Sequence, residues 1–246
     1  MMKTSSNSNT AFAFIVLSPI ILSLLFLPGC SPPAETAESS LAEQLTAIRN
    51  GSTDIVLVET TPLTDQDLTL IRDVPGLRVL QLDQADNKLT DAGMAEIAKL
   101  TQLEHLRIRG GSIGDDGLKE ICEMPNLKIL NLPQGKFTDA GLAQLKALPK
   151  LQMLRIGSPN VTDSGIAAFK EFPSLRQVHL IEIPITDRGL ADLASIPKLE
   201  SLYLDGAHVS DAAVEELFKN RPDDLHVHFN QAHHDRDPHK DDHPHP

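Results

Sequence analysis

A phrase of the form Leu-x-x-Leu-x-Leu returns along this chain at a fixed spacing, and that period limits the possible folds more than any other feature. It reads Leu103/Leu106/Ile108, Leu127/Leu130/Leu132, Leu151/Leu154/Ile156, Leu175/Val178/Leu180 and Leu199/Leu202/Leu204, each copy 24 residues after the last. Leu77/Leu80/Leu82 opens the series at a spacing of 26, with the two extra residues in the loop 83–87. Each phrase is answered by Thr-Asp-x-Gly-Leu or a close variant. The copies begin at Thr90, Gly114, Thr138, Thr162 and Thr186, with a decayed sixth at Ser210 and a decayed precursor at Thr64. A period of this length marks a solenoid of stacked supersecondary units.

The two halves of the unit differ in their periodicity. Alternation at Leu80/Leu82 and its equivalents places apolar side chains on one face of a short strand and the residues between them on the other. In the second half, Leu142, Leu145 and Leu148 recur at helical spacing and form a stripe. Thr138 occupies an N-cap position, and Asp139 puts negative charge in the first turn, where the helix dipole favours it. Pro125, Pro149, Pro173 and Pro197 follow the helices and stop them, because proline lacks an N–H. One unit is strand, turn, helix, turn. It cannot bury its apolar face alone, so stacked copies must share one core.

These motifs resemble leucine-rich-repeat proteins. The Thr-Asp-x-Gly-Leu half is most similar to the cysteine-containing and bacterial subclasses, and the resemblance covers about residues 53–229. It implies an α/β, right-handed solenoid: a short arc with a parallel sheet on the concave face and short helices on the convex face. It also implies non-catalytic binding of a protein, peptide or glycan on the concave side. One feature departs from the family, which often has Asn or Cys in the turn after the strand. Here that position reads Asn87, Gly111, Gly135, Pro159, Ile183 and Ala207. With no asparagine ladder, the turn must satisfy its backbone by other means.

The ends of the chain read differently. Lys3 is the only charge before an apolar run over 11–27, and the run ends in Leu27-Pro28-Gly29-Cys30. Residues 1–29 therefore read as a secretory signal. The ending resembles a bacterial lipobox, which implies lipidation of Cys30 and a lipoprotein of the cell envelope, anchored in a membrane outside the cytoplasm. Pro28 departs from the small residue usual there. An uncleaved membrane anchor is the alternative, although 17 residues containing Pro19 are short for a span. Residues 30–40 read as a tether. Leu41, Leu45 and Ile48 then predict a capping helix over 41–50, closed by Gly51. The repeat domain is expected over 41–229, with about seven coils and a closing strand at 225–229. From Asn230 to Pro246 the chain is rich in His, Asp and Pro, and it reads as a disordered tail. Cys122, the second of two cysteines, reads as a half-buried small residue on a repeat helix, and no disulfide framework exists.

Candidate chemistry falls on the strand positions that face away from the core. These are Gln81, Arg107, Asn131, Arg155, His179, Tyr203 and His228, with Arg109, His105, Met153, Gln177, Asp83 and Asp205 beside them. Arg and Tyr are enriched among residues that dominate binding energy, so this stripe is the candidate partner surface, although open sheet faces are polar in any case. His226 and His228 share a strand face and, with His233 and His234 from the tail, form a candidate zinc, copper or nickel site. Its spacings match no closed zinc motif. No tightly held cofactor is expected, and the protein is expected to be a monomer. A net charge of −12 argues against general affinity for nucleic acid. Catalysis finds little support. The Gly110-Gly111-Ser112-Ile113-Gly114 run lacks the Lys-Ser/Thr of a phosphate loop, and Asp115 of the Asp115-Asp116 pair is the repeat's own capping aspartate.

Overall fold

The computed structural model describes residues 40–233, apart from 73, 84, 222–224 and 231, and it does not describe the side chains of 232 and 233. These residues belong to a unit spanning Glu38–Pro246. The expected signal, Cys30 and its tether lie outside the described residues, as do His234 and the rest of the tail.

The strands are β1 (Ile55–Val58), β2 (Val79–Leu82), β3 (His105–Ile108), β4 (Ile129–Leu132), β5 (Met153–Ile156), β6 (Gln177–Ile181), β7 (Ser201–Asp205), β8 (His226–Phe229) and β9 (Ala232–His233). They form one sheet in sequence order. The first eight are parallel, and β9 turns back antiparallel on β8. The helices are α1 (Leu41–Arg49) before the sheet, then α2 (Asp91–Ile97), α3 (Asp115–Ile121), α4 (Asp139–Gln144), α5 (Asp163–Ala167), α6 (Asp187–Ala194) and α7 (Asp211–Asn220) between strands. The first coil has only a 3₁₀ turn at Asp67–Leu70 in place of its helix. Strand–helix–strand units in one parallel sheet give the α/β solenoid that the period predicts.

The core lies between sheet and helices. Leu80, Leu106, Leu130, Leu154, Val178 and Leu202 form one fully buried layer, and helix residues Met94, Leu118, Leu142, Ile166 and Leu190 close it from the other side. The Leu142/Leu145/Leu148 stripe is wholly buried, although the α-helix gives way to a 3₁₀ turn at Leu145.

The helix half holds the coils together by a route that the dipole reading alone does not supply. Each repeat's aspartate reaches forward to the next coil. Asp115 accepts from Thr138 N–H and Oγ1, both at 2.7 Å, Asp139 does the same for Thr162, and Asp163 for Thr186. Asp65 binds Thr90 in this way and Asp187 binds Ser210. The threonine hydroxyl also accepts from its own helix, as Thr138 does from Ala140 N–H. At Gly114 the hydroxyl is missing and only the backbone bond to Asp91 remains, at 2.6 Å. The motif's glycine makes room for this ladder. A Cβ on Gly141 would stand 2.6 Å from the Asp115 carboxyl carbon and 3.0 Å from its Cα.

The turns after the strands are satisfied piecemeal, as the lack of an asparagine ladder requires. Gly110 N–H donates to Gln134 Oε1 and Gly206 N–H to Asn230 Oδ1, while Ser158 Oγ donates to Phe137 O. The longer loop after β2 uses left-handed backbone at Asp86 and Asn87.

The two ends of the sheet are closed differently, by a side chain at β1 and by a strand at β8. α1 begins with a capping box between Ser40 and Glu43 and buries Leu45 and Ile48. Its Gln44 donates to Leu57 O and accepts from Leu57 N–H, pairing the open edge of β1 as a strand would. In the last coil Arg221, just past α7, donates to the carbonyls of Ala194, Ile196 and Leu199 between α6 and β7. β9 covers the edge of β8, so the sheet extends four residues past the Phe229 boundary expected from composition. The tail's loss of apolar residues hides this, because an edge strand is held by backbone bonds.

Candidate recognition face

On the side of the sheet away from the helices, parallel register aligns one residue from every coil. The row runs Leu57, Gln81, Arg107, Asn131, Arg155, His179, Tyr203, His228. Every position predicted for the stripe from Gln81 to Tyr203 therefore lies on neighbouring strands about 4.8 Å apart. All are part-exposed, in contrast to the buried residues on either side of them.

These side chains are connected to one another. Arg107 binds Asp83 Oδ2 at 2.8 Å, and Arg109, just past β3, approaches the same oxygen at 3.7 Å. Arg107 Nε and Asp83 Oδ1 are buried without a hydrogen-bond partner, so this pair is held by a single strong bond. Arg155 donates from Nε to His179 Nδ1 at 3.1 Å and from Nη1 to Asn131 Oδ1 at 3.3 Å. His179 Nε2 lies 2.8 Å from Asp205 Oδ2. Since Nδ1 accepts from Arg155, the proton belongs on Nε2 and is donated to Asp205. Burial lowers the His179 pKa, Asp205 opposes that shift, and the nearby Arg155 adds to it. Burial and then Arg107 likewise lower the His105 pKa. Both imidazoles are therefore neutral at pH 7.

The C-terminal third of the row is aromatic. Tyr203 stacks on His228 with ring centroids 4.5 Å apart and an interplanar angle of 17°, and it lies 5.4 Å from His179 on its other side. His226 meets His228 edge-on, their Nε2 atoms 2.6 Å apart. His233 sits opposite His228 in the β8–β9 register. Among the described residues no group of three or more His, Cys, Asp or Glu could hold a metal ion. Cys122 is part-buried, its thiol pushed up to about 11 by burial and then by Glu123, and its Sγ lies 3.3 Å from Gln144 O, as a structural cysteine would be.

Sequence reasoning located the row but missed its connections. The Arg155–His179–Asp205 relay joins three different strands, and no local pattern in the sequence pairs them. The sequence signal that was available is weak: His179 and Asp205 are 26 residues apart, close to one period.

The comparisons support the fold. Residues 99–122 match the Leucine Rich repeat family, a span of one coil. No curated protein matches the chain. Among solved structures, an internalin (inlF) from Listeria monocytogenes is similar at 19% identity and a TM-score of 0.52, covering 76% of this chain. This chain spans 57% of that one. A plant peptide hormone receptor, RGFR1 in complex with RGF2, is similar at 14% identity and a TM-score of 0.39, covering 72% of this chain and 32% of that chain. The period, the buried leucine layers, the one-coil family match and the internalin likeness agree: the chain folds as a leucine-rich-repeat solenoid.

Proposed function

We propose that this protein is a non-catalytic recognition module that binds a protein, peptide or glycan on its open sheet face. In this reading it works at the bacterial cell envelope, held there by lipidated Cys30. The observation that carries the reading is the contrast within each coil. The helix half repeats Thr-Asp-x-Gly because stacking needs it. The open row places Arg107, Arg155, His179 and Tyr203 in register, where the ladder makes no such demand. Arg107 is held by Asp83, and Arg155, His179 and Tyr203 are held by one another and by Asp205, so the row is arranged before any ligand arrives, which lowers the ordering cost of binding. The internalin likeness supports the fold on which this rests and nothing narrower.

The test is crosslinking and capture from intact envelopes. A partner caught by the native protein should be lost from an Arg107→Glu/Arg155→Glu variant and kept by Lys146→Glu, which lies on the helix side beside Glu171. Equal capture by all three would sink the reading.

A second reading has one observation behind it. The 2.6 Å approach of His226 and His228 Nε2 would let two imidazoles close on one zinc, copper or nickel ion after a small opening. Zinc titrated into the native protein and into His226→Ala should then differ in stoichiometry, and identical isotherms would remove this pair from consideration.

A further inference from the structure

The open face reverses the sign of the protein's charge at its centre. The chain as a whole carries −12. Arg107, Asn131 and Arg155 share a register row on β3, β4 and β5. The two arginines therefore start about 10 Å apart, with one short neutral side chain between them. Two residues beyond Arg155 stands Gly157, where any side chain is excluded because a Cβ would lie 2.9 Å from Ile181 O. The shortest residues of this region thus lie among its cations.

The counter-charges are unevenly placed. Asp83 is taken by both Arg107 and Arg109. Asp205 accepts from His179. Arg155 donates only to neutral acceptors, His179 Nδ1 and Asn131 Oδ1, and it has no ion pair with any carboxylate among the described residues. Its pKa is lowered by burial and then by Arg109 and Arg107, with Asp205 opposing, so the three cations and that one carboxylate act on one another through space, while the acids are held in direct contact by Arg107 and His179. Such a centre is relieved by an incoming anion, and a planar carboxylate fits the guanidinium fork.

The surroundings restrict that anion further. Asp83 and Asp205 flank the cations, about five strand spacings (roughly 24 Å) apart, so a polyanion laid along the row would meet a carboxylate at each end. One isolated charge avoids both. Two strands past Arg155, about 10 Å away, the part-exposed Tyr203–His228 stack presents the edges of two aromatic rings. An extended peptide covers that distance in about three residues.

We propose that the open face binds an extended peptide segment of a protein partner, with an Asp or Glu carboxylate on Arg155 and an apolar or aromatic residue three positions away on Tyr203. This rests on the reading of the face as a recognition surface, and it names the chemistry of the ligand. Arg109, whose side chain is 46% exposed, is the second contact for the carboxylate.

The experiment is selection of short random peptides, displayed on phage, against the purified protein. The retained pool should carry one acidic residue spaced three positions from an apolar or aromatic one. A synthetic peptide of that sequence should bind Arg155→Gln roughly tenfold more weakly or worse, and Tyr203→Ala similarly. Arg155→Lys, which keeps the charge and loses the fork, should fall between native and Arg155→Gln. Equal melting temperatures for the native protein and the three variants would show that folding is not the cause. Peptides that lose binding to Tyr203→Ala but show no acidic preference and ignore Arg155→Gln would overturn the carboxylate inference and leave recognition by the face standing. Enrichment of polyanionic runs would overturn the argument from the flanking carboxylates. Peptides indifferent to every open-face substitution, or no peptide retained at all, would overturn the recognition reading itself.

Discussion

The helix side and the open sheet side of each coil are built from the same number of copies, yet one side is nearly uniform and the other nearly unrepeated. On the helix side Asp115, Asp139 and Asp163 each bind the next threonine through the same pair of hydrogen bonds. On the sheet side, register neighbours are Gln81, Arg107, Asn131, Arg155, His179 and Tyr203, no two adjacent ones alike. The difference teaches which residues the stacking dictates. A carboxylate that must reach the next coil restricts its own position, the cap residue that it binds and the small residue that clears its path, which is glycine from Gly93 to Gly189 and Ala213 in the last coil. A side chain pointing away from both core and ladder is released from that demand.

The sharpest way to break the comparison is at the glycine. Gly141→Ala drives a methyl group into the Asp115 carboxylate and should destabilise the protein by about 3 kcal/mol in chemical unfolding. Pairing it with Asp115→Ala should cost clearly less than the sum of the two single changes, because the clashing carboxylate is gone. Additive losses would show that the glycine serves helix packing instead.

A smaller effect is expected from the aspartate itself. Asp139→Ala leaves the Thr162 N–H and hydroxyl without their acceptor and should cost roughly 2 kcal/mol. The equivalent change at Asp91, which binds only a backbone N–H at Gly114, should cost about half as much. Equal losses would mean the hydroxyl bond contributes nothing.

Acid should weaken the open face before it reaches the ladder. His105 and His179 have pKa values held below 6.5 in the fold, chiefly by burial. The unfolded chain therefore binds their protons more readily than the folded one. Their stabilisation is complete above pH 6.5 and is lost as pH falls through the lowered values. Asp187, held down by the Ser210 backbone N–H and hydroxyl, gives way only below its ordinary 3.8. The melting temperature should thus drop as pH falls below about 6.5, and drop less in a His105→Gln/His179→Gln variant. An unchanged pH profile in that variant would remove these imidazoles as its cause.

The smallest effect on stability, under about 1 kcal/mol, is expected for Arg155→Gln, whose bonds go to neutral, part-exposed acceptors. A change that barely moves the unfolding midpoint while weakening peptide binding about tenfold or more would complete the contrast between the two sides. A large loss of stability would place Arg155 with the scaffold.

Much of this was legible before any coordinates. The period gave the strand order and register, since Leu80, Leu106, Leu130 and Leu154 can share a buried layer only if their strands pair one coil apart. The capping helix was legible from Leu41, Leu45 and Ile48, and α1 ends within one residue of the expected limit. The row from Gln81 to Tyr203 follows from register alone. Three things were not legible. Asp139 reads as a dipole partner until Thr162 is seen beside it. Gln44 and Arg221 look like ordinary polar surface residues, though Gln44 pairs the edge of β1 and Arg221 ties the end of α7 to the carbonyls between α6 and β7. β9 has no apolar pattern, so the sequence places the end of the sheet at Phe229.

The sequence by itself therefore determined the repeating architecture and the membership of each face, because apolar periodicity acts through neighbours in the chain and through identical copies one period on. Only the tertiary structure decided what the polar side chains do. A carboxylate's choice between solvent, its own helix and the next coil depends on distances of a few ångströms. Those distances are set by how one coil's glycine lets another coil's aspartate approach, and by which arginines lie close enough to pair with Asp83.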